Sequence, residues 1–79
     1  MKIRHQKYGE CNLIGKRVET LRKQRGIKQK DFIAMLQSSG LDINPTSYSK
    51  LEGQIRIATD KEVFAISRCL GVNIDSLFE

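Results

Sequence analysis

Residues 44–53 read Asn-Pro-Thr-Ser-Tyr-Ser-Lys-Leu-Glu-Gly, and the fold is decided here. Asn44 can accept a hydrogen bond from a first-turn amide. Pro45 suits the first helical position, where its fixed φ helps and its missing N–H is not needed. Gly53 is the expected stop. Between them the large apolar residues are Tyr48 and Leu51, three apart, so this short helix buries one narrow stripe. Thr46, Ser47, Ser49 and Lys50 leave the rest of its surface small and polar.

Working outward, Leu13, Ile14, Val18 and Leu21 recur at helical spacing and predict a first helix over about 13–25. Asn12 is its expected cap, and Gly26 its stop behind Arg22, Lys23 and Arg25. Phe32, Ile33 and Leu36 define a second helix ending near Ser38 and Ser39, with Gly40 beyond. Lys28 caps it poorly. Residues 38–43 then form a connection with apolar Leu41 and Ile43. After the decisive helix, Thr59-Asp60-Lys61-Glu62 has the form of a capping box. Val63, Phe64, Ile66 and Leu70 supply the apolar face of the helix it opens, which Gly71 ends. Asn73 is the expected cap of a last helix holding Ile74, Leu77 and Phe78. No stretch alternates at period two, so the expectation is an all-α, compact bundle of five short helices. Residues 1–12 read as a basic arm or irregular lead-in, and 13–79 as one domain.

The chain has 79 residues and a net charge of +5, and the charge is unevenly placed. Residues 1–30 hold ten Lys and Arg against two acids, a local +8, whereas 31–79 hold four against seven, a local −3. A basic end of this kind suits a polyanion. No apolar run approaches the roughly 20 residues of a membrane span, and no apolar segment follows the basic N-terminus as in a signal peptide. A cytoplasmic location is therefore expected. Cys11, Cys69 and His5 cannot make a four-ligand zinc site at any standard spacing. The cysteines are read as reduced, and His5 as a tail residue. Neither a nucleophile–base pair nor a phosphate-binding glycine loop is present, so no enzyme, cofactor, metal or small-molecule ligand is expected.

Two helices joined by a connection, the second thin, polar and anchored from behind, describe a helix-turn-helix unit. From Ile14 to Phe78 the chain resembles the lambda repressor and Cro (XRE-type) family. The matching stretches are IGKRVETLRKQRGIKQKDF, INPTSYSKLEG and CLGVNIDSLF. The resemblance implies a lambda-repressor-like domain that binds double-stranded DNA sequence-specifically. It implies a bacterial or phage transcriptional regulator, repressor-like and homodimeric on DNA, with the helix at 45–52 in the major groove. By position it places Gln29 at the second helix start, facing a phosphate. Asn44, Pro45, Thr46, Ser47, Ser49 and Lys50 fall on the recognition helix, and Arg56 becomes a further phosphate or minor-groove contact. It pairs Arg22 with Glu52 as a structural ion pair. The alternative is a protein–protein adaptor of the same fold, such as an antitoxin component.

Three features depart from the family pattern. The connection at 38–43 is long, which bears on the angle of the third helix. Ile33 stands where a small Ala is common, and Pro45 stands where many relatives carry a base reader. Base readout is therefore expected to lean on Thr46, Ser49 and Lys50, with Thr against a thymine methyl and Lys on guanine acceptors.

Overall fold

The computed structural model describes residues 11–79. The expected basic arm lies outside them apart from Cys11 and Asn12, as does His5. Four α-helices are formed: α1 (Gly15–Gln24), α2 (Gln29–Ser38), α3 (Pro45–Glu52) and α4 (Asp60–Leu70). The fifth element, Ile74–Phe78, is a 3-10 helix rather than an α-helix, and Asn73 makes no side-chain cap to it. Among the described residues there is no strand, and the all-α class holds.

Two helix starts follow local chemistry. The Asn44 side-chain Oδ1 accepts from the Ser47 amide at 2.8 Å. At α4 both halves of the capping box form: Thr59 Oγ1 accepts from the Glu62 amide at 3.2 Å, and Glu62 Oε1 accepts from the Thr59 amide at 2.9 Å. The start of α1 is less direct. Ile14 is its N-cap, with no side-chain cap of its own. Asn12 reaches forward instead, its Oδ1 accepting from the Ile14 and Gly15 amides at 3.1 and 2.8 Å. Its Nδ2 donates to the carbonyls of Leu51 and Arg56 at 3.0 and 2.8 Å. One buried amide thus caps α1 and ties it to the far end of α3.

All four α-helices end by the same device. The residue in the left-handed conformation and its successor turn their amides back onto the last turn, satisfying carbonyls the helix leaves open. The pairs are Gly26 with Ile27, Gly40 with Leu41, Gln54 with Ile55, and Gly71 with Val72. Three use glycine at positive φ; the fourth uses Gln54 at φ 60°. Gly53, the expected stop, is the C-cap of α3 with an ordinary φ of −75°, and the left-handed turn falls one residue later, on Gln54. A non-glycine residue here costs roughly 1–2 kcal/mol. Two contacts offset that cost: Gln54 Nε2 donates to the Asn12 carbonyl at 3.0 Å, and the Gln54 carbonyl accepts from the Cys11 amide at 2.8 Å.

The core is formed where α1 packs on α3, α4 and the 3-10 helix, while α2 packs on α3 and α4. Ile14, Val18, Phe32, Leu36, Tyr48, Leu51, Ile66 and Leu77 are its largest fully buried side chains. Phe32 and Tyr48 meet edge to face, their ring centres 5.8 Å apart, a preferred aromatic geometry. Ile33 is accommodated and buried. Three residues expected inside are exposed: Phe64, Ile74 and Phe78. Phe64 follows half-buried Val63 by one residue, which rotates it about 100° around α4 and off the Ile66–Leu70 stripe.

Candidate nucleic-acid interface

The anchoring side of α3 is buried and polar as well as apolar. Tyr48, Leu51 and Glu52 face inward. Glu52 lies under Arg22, whose Nε and Nη2 donate to the two carboxylate oxygens at 2.7 and 3.2 Å. Arg22 Nη1 donates to the Ile27 carbonyl at 2.7 Å. The Tyr48 hydroxyl donates to Glu52 Oε2 and Gln29 Nε2 to Oε1. The carboxylate therefore accepts four hydrogen bonds, and among the described residues no buried side-chain polar atom lacks a partner. A buried charge is tolerable on that condition. The hydrogen bond to Glu52 raises Arg22 above its already high ordinary pKa, despite the opposing effect of burial. Burial, and then the bond to Glu52, push the Tyr48 hydroxyl well above the usual phenol range.

The outward side of α3 carries exposed Pro45, Thr46, Ser49 and Lys50, with Ser47 half-buried and exposed Asn44 at the cap. Gln29 joins this surface to the start of α2. Its Oε1 accepts from Ser49 Oγ at 3.1 Å while its Nε2 holds Glu52. The amide expected to face a phosphate is thus oriented from both ends. Lys28 and Lys30, exposed, flank it, and no ion pair among the described residues engages either of them or Lys50. The α2 N-cap, Lys28, makes no side-chain cap. That leaves first-turn amides and the positive end of the helix dipole open to an external acceptor beside α3.

Arg56 is held within the fold. Its Nε donates to the Ser47 carbonyl at 2.9 Å, and its Nη1 to the Ile57 carbonyl at 2.7 Å. Nη1 and Nη2 also bind Glu62 end-on at 2.9 and 2.8 Å. The guanidinium clasps α3 to the α4 capping box, and four hydrogen bonds engage its five donors within the fold. Burial alone would raise the Glu62 carboxyl, but Arg56 and the Thr59 amide hold it below the usual carboxylate range. A depressed folded-state pKa contributes stability that is complete above the ordinary value near 4.3 and is lost as pH falls through the folded one. Glu62→Gln should accordingly be less stable than the parent at pH 7, with a smaller gap at pH 3. Urea unfolding at both pH values measures this, and an unchanged gap would contradict the clasp.

The remaining basic residues are partly absorbed. Arg17 donates to the Ser76 carbonyl and Glu79, and Lys23 pairs with Glu19 at the surface. No group of His, Cys, Asp and Glu among the described residues could hold a metal ion, and no helix there is long and apolar enough to cross a membrane. Two contributors were missed from the sequence: Asn12, which fixes the end of α3, and half-buried Ile55 beside its outer face. Ile55 shares its loop with apolar Ile57 and Ala58, so no local signal set it apart.

The chain matches the sequence profile of the helix-turn-helix family over residues 18–77. No curated protein and no solved structure matches it.

Proposed function

The chain belongs to the lambda repressor and Cro (XRE-type) helix-turn-helix family, a family of DNA-binding domains, and from that membership we propose a sequence-specific regulator of repressor type. In this reading α3 lies in the major groove of double-stranded DNA, with Thr46, Ser49 and Lys50 toward the bases. Asn44, Pro45 and Ser47 sit at the helix entry against the backbone, and Gln29 lies toward a phosphate. The carrying observation is the two-sidedness of α3: a fully satisfied buried carboxylate behind, and a small exposed polar surface in front, next to the uncapped start of α2. A cytoplasmic, bacterial or phage setting goes with that role.

Dimeric binding is part of the proposal. Exposed Leu13, Ile57 and Phe78 surround a depression of about 300 Å³ shared with Ala58 and Val63, an apolar surface suited to a second copy on a neighbouring half-site.

The test is a gel shift of random duplex DNA with a salt titration. Retardation at low salt is expected. With about four phosphate contacts, affinity should fall roughly a hundredfold between about 50 and 200 mM salt. Two chains per duplex should be counted on a selected site. No retardation of any duplex at low salt would overturn the reading and favour a protein–protein adaptor, such as an antitoxin component. A one-to-one stoichiometry would overturn the dimer alone.

A further inference from the structure

The four helix ends place four aliphatic residues in equivalent positions: Ile27, Leu41, Ile55 and Val72. Three of them pack against the core, but Ile55 does not belong to that cluster. The turn at Gln54 brings it back over α3, with the Ile55 amide on the Lys50 carbonyl at 2.9 Å. There it shares with Pro45, Thr46, Ser49 and Lys50 an open depression of about 340 Å³ whose walls are mostly apolar. A half-buried aliphatic side chain facing the groove-reading surface, rather than the interior, offers apolar contact to a group from outside the domain.

In the major groove the bases present hydrogen-bond donors and acceptors and a single apolar group, the C5 methyl of thymine. We infer that the Pro45–Thr46–Ile55 notch receives a thymine methyl, making Ile55 a specificity-determining residue that lies outside the recognition helix. The flanking chemistry fits duplex DNA. Lys50 offers a cation at the rim for a guanine edge or a phosphate. Ser49 Oγ already donates to Gln29, so it presents an acceptor to the adjacent base. Pro45 thereby gains a role as an apolar wall, at a position where it can supply no donor. The inference rests on the DNA-binding reading proposed above.

The experiment uses the full chain and a duplex selected from a random pool. Each thymine in turn is replaced by deoxyuridine, which removes the methyl and leaves every hydrogen-bonding group in place. At one position per half-site the loss should weaken binding roughly three- to fivefold, the worth of one buried methyl. Ile55→Ala should bind the thymine and uracil duplexes equally at that position. Thr46→Ser, an exposed change that leaves the fold intact, should narrow the same difference. A uniform response to uracil at every position, or thymine discrimination undiminished in both variants, overturns the inference while the DNA-binding reading survives. Absence of binding to any duplex at low salt overturns both.

Discussion

Replacing Glu52 by alanine should cost about 3–5 kcal/mol, because Arg22 is left charged and buried without its partner. Both side chains are almost wholly enclosed, at 7% and 4% exposure, so water cannot take over the guanidinium. The substitution also strips acceptors from Tyr48 and Gln29, and unsatisfied buried donors add to the loss. Domains of this size have total stabilities at the lower end of about 5–15 kcal/mol. The variant therefore sits near the threshold of folding. For a domain of this length, roughly 4–8 °C of melting temperature is lost per kcal/mol, so a drop on the order of 12–40 °C is expected by circular dichroism. The double variant Arg22→Met with Glu52→Leu should recover much of the loss, since an apolar pair replaces a buried ionic one at little net cost. Additive losses in the double variant would show that the two side chains act independently and that the ion pair is not what holds α1 to α3.

The sequence carried those parts of the fold that are written in neighbouring residues. Asn44-Pro45 and Thr59-x-x-Glu62 act within one turn, and both start helices as expected. Gly26, Gly40 and Gly71 likewise take the left-handed conformation that ends a helix. What escaped local reading depends on contacts across the chain. Asn12 meets Leu51 and Arg56, about forty residues away, so its chemistry reads locally as a simple cap. Gly53 closes α3 as expected, but the left-handed turn falls on Gln54, where the Cys11–Asn12 segment holds it. Arg56 reads as a free cation until the fold brings Glu62 end-on to it. The apolar stripes were read too wide at Phe64, Ile74 and Phe78, since spacing gives a face but not where a small core ends.

The candidate site divides along the same line. Residues on α3 were legible because a helix with so narrow an apolar stripe must show its remaining side chains outward. Their supports were not. Arg22 and Glu52 entered through a family resemblance, and spacing alone would not have paired residues thirty positions apart. Ile55 escaped because its place follows from how α3 ends rather than from what α3 contains. The long connection at 39–44 is held down by Gln37 Nε2 donating to the Ile43 carbonyl at 2.8 Å and by the burial of Ile43. Its length therefore does not loosen α3.

Gly15→Ala should destabilise the domain although alanine is the better helix former. In an exposed helix interior the exchange gains up to about 1 kcal/mol. At Gly15, however, an added Cβ would lie 2.4 Å from the Leu51 carbonyl oxygen and 2.8 Å from that of Glu52. Both are backbone atoms in the last turn of α3. Gln54 Cγ, at 2.7 Å, could swing aside, but the carbonyls can move only if α3 separates from α1. That separation would stretch the Asn12 bond to Leu51 and the Arg22 grip on Glu52 together. Overpacking against an unyielding wall costs typically about 1–3 kcal/mol and occasionally more, so the clash outweighs the propensity gain. A net loss of about 2 kcal/mol, or roughly 8–16 °C in melting temperature, is expected. Gly53→Ala is the matched control: its φ is ordinary at −75°, and its nearest contact is the Ser49 carbonyl at 3.3 Å, so it should change stability by less than about 1 kcal/mol. A Gly15→Ala variant melting at or above the parent would mean that α1 and α3 do not meet backbone to backbone. The direct coupling of the first helix to the recognition helix would then be wrong.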